Sequence, residues 1–376
     1  MKLYVFDINF NRLGIIEEYS DIEFNQKTKD HSLLYLTVPP TDRNIELLVS
    51  WAEGDYRILT RDNDITRGFL IEKPEYIEGE QQEINITARS LSVFTGLRIV
   101  EGFQIFSGNV GDVIKSFINA NAINPSNVNR KIPNLVLSSD NNITSTTEEA
   151  YANNELDVVI WDICSRFDVM FEILMDHTNK QYVARVYSGA DRTTDQTINP
   201  HVIFSKEFDN IVVQSYVKDI SGHKNTVYVM GGDKTQDEMF GTILEINSSN
   251  SGYNRKEMFV EASDIRPTYR DENDVEVTLT EEQFETLLVE RGLTRLAEYT
   301  PVESFDSEIN PFSQHVFNVD YFLGDLITVR SRNIGVAVNV RVANVSETYN
   351  RNGYSMRIEF GSGVPTLMDK IKRKVK

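Results

Sequence analysis

A β module that occurs twice, at widely separated places in the chain, constrains the fold more than any other feature. Each copy begins with Gly-Asp and continues as a short strand, a long alternating strand, a polar turn and a further strand. The segments are residues 54–59, 69–78 and 83–90 in the first copy, and residues 324–329, 338–349 and 355–362 in the second. Because three such chains would present six similar modules, the repeat favours a protein that builds rings.

Alternation of apolar and polar residues with a period of two indicates half-buried antiparallel strands in both end regions. Leu34, Leu36 and Val38 alternate with their neighbours in this way, and Pro39-Pro40 ends that strand. Short strands between turn signals favour a barrel or a sandwich over a doubly wound sheet.

Helical spacing interrupts these β regions and predicts two smaller α+β parts. Apolar residues recur on one face from Val110 to Ile118 and from Leu156 to Phe167, and Thr280 with Gln283 has the spacing of a capping box. The predicted domains are residues 1–102, a first β-barrel; 103–204, an α+β domain; 205–250 with 301–365, a second β-barrel; 251–300, an inserted α+β segment; and 366–376, a basic tail.

The charge balance limits the classes of partner. The 376 residues include 38 basic and 57 acidic ones, which gives a net charge of −19. This argues against a protein that wraps nucleic acid, because such a protein needs a basic footprint. It suits a surface that nucleic acid passes without binding, and plain solubility explains it as well. No apolar run approaches the roughly 20 residues of a membrane-spanning helix.

The residues that usually carry chemistry form no convincing site. No two histidines have metal-ligand spacing; they are His31, His177, His201, His223 and His315. Cys164, the only cysteine, lies on the apolar stripe of a predicted helix, as a buried structural thiol does. We therefore predict no catalytic residues, no metal, no cofactor and no enzymatic activity.

Carboxylates are too abundant in this chain to indicate a site by themselves. The densest group is Glu303, Asp306 and Glu308, which we interpret as a solvated strand edge. Asp219, Asp320 and Asp325 are possible calcium ligands by type, but no loop has the ligand order that a calcium site requires.

Basic residues crowd the last positions of this acidic chain. They are Lys370, Lys372, Arg373, Lys374 and Lys376. Such a tail suits docking on an acidic neighbour, and a solvated terminus is an equally good interpretation.

Several short landmarks, in a fixed order, give the chain a family resemblance. They are Lys2 to Asp7 with Asn11-Arg12-Leu13-Gly14, Ala88-Arg89-Ser90-Leu91, Gly189-Ala190-Asp191-Arg192, Val202-Ile203-Phe204-Ser205 with Phe208-Asp209-Asn210, Lys224 to Val229 before Gly231, Arg291-Gly292-Leu293, and Asp320 to Asp325. In these residues the chain resembles the tail-hub proteins of long-tailed bacteriophages, a group that includes the N-terminal part of tail-associated lysins.

The resemblance implies an architecture and a structural role. It implies a β-rich α+β fold with two antiparallel β-barrel domains and two smaller α+β domains, and a homotrimeric ring. Such a trimer adapts a six-fold tail tube to a three-fold tip and forms the channel for DNA ejection. Its neighbours are the distal tail or tube protein above and a spike, fibre or lysin below. The expected location is the virion tail tip, after assembly in the cytoplasm of the bacterial host.

Two other functions remain open at this point. One is a cell-wall glycan hydrolase of the tail tip, which needs only two suitably spaced carboxylates. The other is a carbohydrate- or receptor-binding module, for which 16 tyrosines and 20 phenylalanines are a compatible composition.

Overall fold

The computed structural model describes residues 1–52, 54–79, 82–139, 142–232, 242–270, 276–310 and 312–361. The helices are α1 Asp42–Leu48, α2 Val110–Ile118, α3 Leu156–Phe167 and α4 Glu281–Ala297. The strands are β1 Leu3–Phe6, β2 Arg12–Ile16, β3 Asp21–Lys27, β4 Leu33–Val38, β5 Ile58–Arg61, β6 Asp64–Ile77, β7 Glu83–Ser90, β8 Phe103–Asn109, β9 Leu135–Leu137, β10 Thr146–Ala152, β11 Met170–Asp176, β12 Gln181–Tyr187, β13 Ile203–Phe204, β14 Ile211–Asp219, β15 Thr226–Gly231, β16 Ile243–Ile246, β17 Glu257–Ala262, β18 Thr268–Arg270, β19 Glu276–Thr278, β20 Val302–Ile309, β21 Leu326–Ser331, β22 Val336–Asn350 and β23 Gly353–Gly361. Within the described ranges no helix combines the length and apolarity needed to cross a bilayer.

Strands from both ends of the chain form one continuous sheet. Its order is β14-β20-β23-β22-β3-β4-β7-β6-β5-β1-β2, and β21 and β13 extend from β22. The order β3-β4-β7-β6-β5-β1 of the first module is repeated in the second as β14-β20-β23-β22-β21-β13. The repeat that the sequence predicts is therefore present, and it covers six strands instead of three. One pair differs in direction: β1 runs antiparallel to β5, whereas β13 runs parallel to β21.

The two Gly-Asp dipeptides form the same turn. Gly54 and Gly324 have φ angles of +89° and +88°, values that a type II turn requires at its third residue and that glycine adopts without strain. In each turn the aspartate N–H donates to a carbonyl three residues earlier, at 3.0 Å from Asp55 and 3.1 Å from Asp325.

The turns are equivalent in conformation but not in register. Each long strand has a one-residue bulge, at Glu72 in β6 and at Ala343 in β22. When the two modules are aligned at their bulges, Ile58 corresponds to Leu326. When they are aligned at their Gly-Asp turns, Ile58 corresponds to Thr328. The offset is two residues, so every side chain keeps its face of the sheet.

Each module covers a core of its own with the inward residues of its strands. Phe24, Leu36 and Ile84 are buried in the first core, and Phe305 and Ile358 in the second. The predicted alternation is observed: Leu34, Leu36 and Val38 are buried, while Tyr35 is exposed. Strand pairs among the described residues do not close either module into a barrel within one chain. Closure into barrels and trimer formation therefore stay predictions.

The first α+β part packs directly on the first module. It contains α2, α3, the pair β8–β10 and the small sheet β11-β12-β9. Its core includes Phe6, Ile58 and Leu70 from the module. The predicted helices are confirmed as α2 and α3, because their apolar stripes face this core.

The second α+β part consists of the sheet β16-β15-β17 with α4 against it. The predicted capping box is present at the start of α4: Thr280 accepts from the Gln283 N–H at 3.2 Å, and the Gln283 side chain accepts from the Thr280 N–H at 3.0 Å. The predicted domain bounds stay predictions. Pairing places Thr226–Gly231 in this small sheet, although the prediction assigned residues 205–250 to the second β-barrel. Strand β15 pairs with β17, which comes later in the chain, and the local alternation of residues in β15 does not reveal that pairing.

Candidate assembly surface

The two modules of one chain are joined side by side, and this join is the first element of the site. Strands β22 and β3 pair antiparallel from Asn344 opposite Lys27 to Asn350 opposite Asp21. We call this contact the internal junction. It belongs to a run of eight neighbouring strands, β14-β20-β23-β22-β3-β4-β7-β6, to which each module contributes four.

A buried ion pair stabilises the internal junction on its core side. Arg61 of β5 lies 2.9 Å from Glu347 of β22, and both residues are only 4% exposed. Gln26 of β3 donates to the same carboxylate at 3.1 Å. The Arg61 guanidinium also lies 4.4 Å from the centroid of the Phe24 ring. Because buried charges are tolerated only with partners, these contacts specify how the modules meet.

Two tyrosines complete the surroundings of Glu347. The hydroxyls of Tyr349 and Tyr354 donate to this carboxylate at 3.3 Å and 3.2 Å. Burial and the nearby charge of Glu347 raise the pKa of both phenols. They therefore stay protonated and serve as hydrogen-bond donors.

The run of eight strands ends in two edges that have no partner among the described strands. Strand β14 pairs only with β20. Strand β6 pairs with β5 as far as Leu70, and from Lys73 to Ile77 it pairs only with β7. Edges of this kind present backbone donors and acceptors to another strand.

These edges are the counterparts of the strands that meet at the internal junction. The shared pairing order makes β6 equivalent to β22, and β14 equivalent to β3. Apolar side chains are exposed at both edges: Tyr76 is 41% exposed and Ile77 38% on β6, and Val212 is 52% exposed and Val213 50% on β14. One chain therefore contains one complete junction, between β22 and β3. It also contains the two strands, β6 and β14, that could form an equivalent junction with other chains.

The polar face of this run, opposite the two cores, is acidic. It carries Glu23, Glu83, Glu308 and Glu359, each next to a buried residue that faces the other side of its strand. Two arginines of the same face are paired with carboxylates: Arg357 lies 3.0 Å from Asp306, and Arg89 contacts Glu72. Such a surface offers little binding to phosphate.

A second exposed apolar surface lies between β20 and β21. In this segment Phe312 is 94% exposed, Val316 52% and Val319 68%. The segment is anchored by Tyr321, which is fully buried, and by the Asp320 carboxylate, which accepts from the Val316 N–H at 2.7 Å. Several apolar side chains exposed together indicate a contact surface for another protein.

The residues that the sequence predicts for partner docking are not among the described ones. The basic tail Lys370, Lys372, Arg373, Lys374 and Lys376 lies outside the described residues. In the described ranges, no three side chains of His, Cys, Asp or Glu are grouped as metal ligands. Cys164 is fully buried, and burial raises the pKa of its thiol.

Asp325 has a structural role that the sequence did not indicate. It is 3% exposed and accepts hydrogen bonds from the Ala190 N–H at 2.8 Å and from Arg192 Nε at 2.7 Å. Two separate landmarks of the sequence, at 189–192 and at 324–325, thus lie against each other. Neither carries a signal of that contact, because both are short and common.

Comparison with known proteins identifies relatives over nearly the whole chain. The family model described as Siphovirus ReqiPepy6 Gp37-like protein matches residues 2–362. No curated protein matches the chain.

Solved structures show the same fold at low sequence identity. The 43 kDa tail protein of prophage MuSo2 from Shewanella oneidensis has a TM-score of 0.54 at 8% identity, with 96% of this chain and 98% of that chain covered. The prophage tail protein gp18 from Listeria monocytogenes has a TM-score of 0.50 at 11% identity, with 100% and 98% covered. A tail protein from Neisseria meningitidis has a TM-score of 0.50 at 11% identity, with 95% and 96% covered.

Proposed function

The chain belongs to the Siphovirus ReqiPepy6 Gp37-like protein family, and we propose that it is the tail-hub protein of a phage or prophage tail. Three chains would form a ring at the virion tail tip. The ring would adapt the six-fold tail tube above to a three-fold spike, fibre or lysin below, and DNA would leave through its centre. Assembly would take place in the cytoplasm of the bacterial host. The fold shared with prophage tail proteins supports this role.

The internal junction is the observation that carries the proposal. If β22 of the second module pairs with β3 of the first within one chain, the equivalent strands β6 and β14 can pair in the same way between chains. Such a contact joins two different surfaces, so it closes a ring when the rotation between subunits fits. Three chains would then supply six modules, and their three runs of eight strands would close into one continuous wall.

The equivalence fixes a register for the contact between chains. It places Lys73 of β6 opposite Asp219 of β14, as Asn344 lies opposite Lys27 in the internal junction. It also places Tyr76 opposite Tyr216 on the core side. Opposite charges and aromatic pairs are favourable across strands, whereas a slip by one residue would bring Lys73 against Lys218. The chemistry of both edges therefore supports this register.

The polar face would line the channel. Its carboxylates Glu23, Glu83, Glu308 and Glu359 would keep the DNA backbone from adhering, and the pairing of Arg89 and Arg357 with carboxylates removes two potential phosphate contacts. This agrees with a structural role in which DNA passes and is not bound. The basic tail and the apolar segment at 312–322 would contact neighbouring tail proteins. No observation in the described residues favours the glycan hydrolase or the receptor-binding module.

The mass of the protein in solution tests the proposal. Size-exclusion chromatography with light scattering, at micromolar concentration, is expected to give three times the 43.1 kDa of one chain. The interface of an obligate ring buries about 2,000–5,000 Å², so the trimer should persist on dilution. A stable monomer at that concentration would contradict the proposal.

A further inference from the structure

Three ionisable side chains meet where the second α+β part packs on the first. Glu149 of β10 is 0% exposed, Glu290 of α4 is 6% exposed, and Arg166 near the end of α3 lies between them. Arg166 donates to Glu149, and its Nη2 lies 3.0 Å from Glu290 Oε2. The approach to Glu290 is close but poorly aligned, so we treat it as an ion pair and not as a hydrogen bond.

Among the described residues, Tyr151, Thr147 and Asp162 on β10 and α3 are neutral or acidic neighbours of this cluster. On β10, the Tyr151 hydroxyl accepts from Arg166 at 3.0 Å, and the Thr147 hydroxyl donates to Glu149 at 2.6 Å. On α3, Asp162 adds a further negative charge near Tyr151.

The two arginines that follow Glu290 on α4 each have a carboxylate partner outside the cluster. Arg291 pairs with Asp264 at 2.7 Å, and Arg295 pairs with Glu298 at 2.8 Å. Two buried carboxyl groups therefore share one guanidinium. Since a buried charge without a counter-charge is costly, one carboxyl group retains a proton.

A cleft lies beside the cluster. Its volume is about 970 Å³, and it is lined by β10, by β17 and by the face of α4 that carries Glu290 and Thr294. Away from the cleft, α4 packs against β10 and α3, Ala150 and Phe103 join its apolar core, and the charged cluster lies in this contact.

We infer that Glu149, Arg166 and Glu290 form a buried proton-binding site that fastens the second α+β part to the first, and that the two parts separate more readily once the proton leaves. The site would give the assembled protein a joint whose strength depends on pH.

The titration of Glu290 has the direction that this site requires. Burial, followed by the neighbouring Glu149, raises the pKa of Glu290 to about 9. A separated Glu290 would titrate near its ordinary value of about 4.3. The packed state therefore binds more protons between these values, and its stability falls as the pH rises through that window. The stabilisation that the bound proton provides is complete below the ordinary pKa of Glu290. It is lost once the pH exceeds the raised pKa.

Hydrogen exchange of α4 in the full chain tests the inference. After correction for intrinsic exchange rates, amide protection of α4 should fall by up to about tenfold for each pH unit between about pH 6 and pH 9. Glu290→Gln carries a neutral group of the same shape, so its protection should be independent of pH. Glu285→Gln, on the exposed face of the same helix, is the matched control and should keep the wild-type slope. A flat wild-type profile, or a slope that survives in Glu290→Gln, would overturn the inference.

A second measurement does not depend on whether Glu290→Gln folds. The infrared spectrum of the wild-type protein near neutral pH should contain the carbonyl band of a protonated, buried carboxylic acid. The band should disappear as the pH is raised above about 9, in step with the loss of α4 protection. Absence of the band near neutral pH would show that the cluster holds no proton.

Discussion

Individual residues decide how the landmarks of this chain come together. Asp325 ends a glycine turn and accepts from the backbone and side chain of the segment at 190–192, so one carboxylate connects the first α+β part to the second module. The approach is so close that only a residue without a side chain fits at Gly189. A Cβ atom added there would lie 1.9 Å from the carbonyl oxygen of Gly324.

Replacement of Gly189 by alanine is expected to destabilise the protein by at least about 1–3 kcal/mol, since the atom it meets belongs to the backbone and cannot rotate away. Chemical denaturation at fixed protein concentration measures the loss. Gly222→Ala is the matched control, because a Cβ atom there would meet nothing within 4 Å. It should change the free energy of unfolding by less than about 0.5 kcal/mol. Equal effects of the two substitutions would show that the close approach is not needed for stability.

The sequence was most informative about the individual helices and strands. Alternating segments such as β4 and β7, the stripes of α2 and α3 and the capping box of α4 are local patterns, and the structure confirms them. The two-residue offset between the turns was not predictable, because both registers preserve the alternation of faces. The pairing of β22 with β3 was equally hidden, since their contact joins distant parts of the chain. The candidate edges follow from that pairing, so the sequence could not locate them either.

The ion pair at the internal junction gives a prediction for these elements. Glu347→Gln leaves the buried Arg61 guanidinium without a counter-charge, and we expect a loss of about 3–5 kcal/mol in the free energy of unfolding. Denaturation of variants at one protein concentration measures the loss. Glu17→Gln removes the partner of Lys2 in an exposed pair at 2.6 Å, and the median contribution of such pairs is about 0–1 kcal/mol. If the two variants lose equal stability, the buried pair does not hold the junction together.

At the scale of the whole molecule, the chain is two similar modules joined side by side, with an α+β part associated with each. The net charge of −19 and the carboxylates of the polar face are compatible with the proposed wall along which DNA would move. The edges of β6 and β14, which have no strand partner among the described residues, would provide the means of assembly, because each reproduces one side of a contact that the chain already makes within itself.

A disulfide cross-link tests the proposed ring most directly. In the register of the internal junction, Glu75 of one chain lies opposite Val217 of the next, and cross-strand Cα atoms about 4.5–5.5 Å apart suit a disulfide. The native Cys164 is fully buried and should not compete. Glu75→Cys with Lys218→Cys is the control, because neighbouring residues point to opposite faces. After oxidation, the variant with Glu75→Cys and Val217→Cys should run as a covalent trimer on a non-reducing gel. The control should run as a monomer. A monomer from the matched pair, or linkage of the control alone, would contradict the ring.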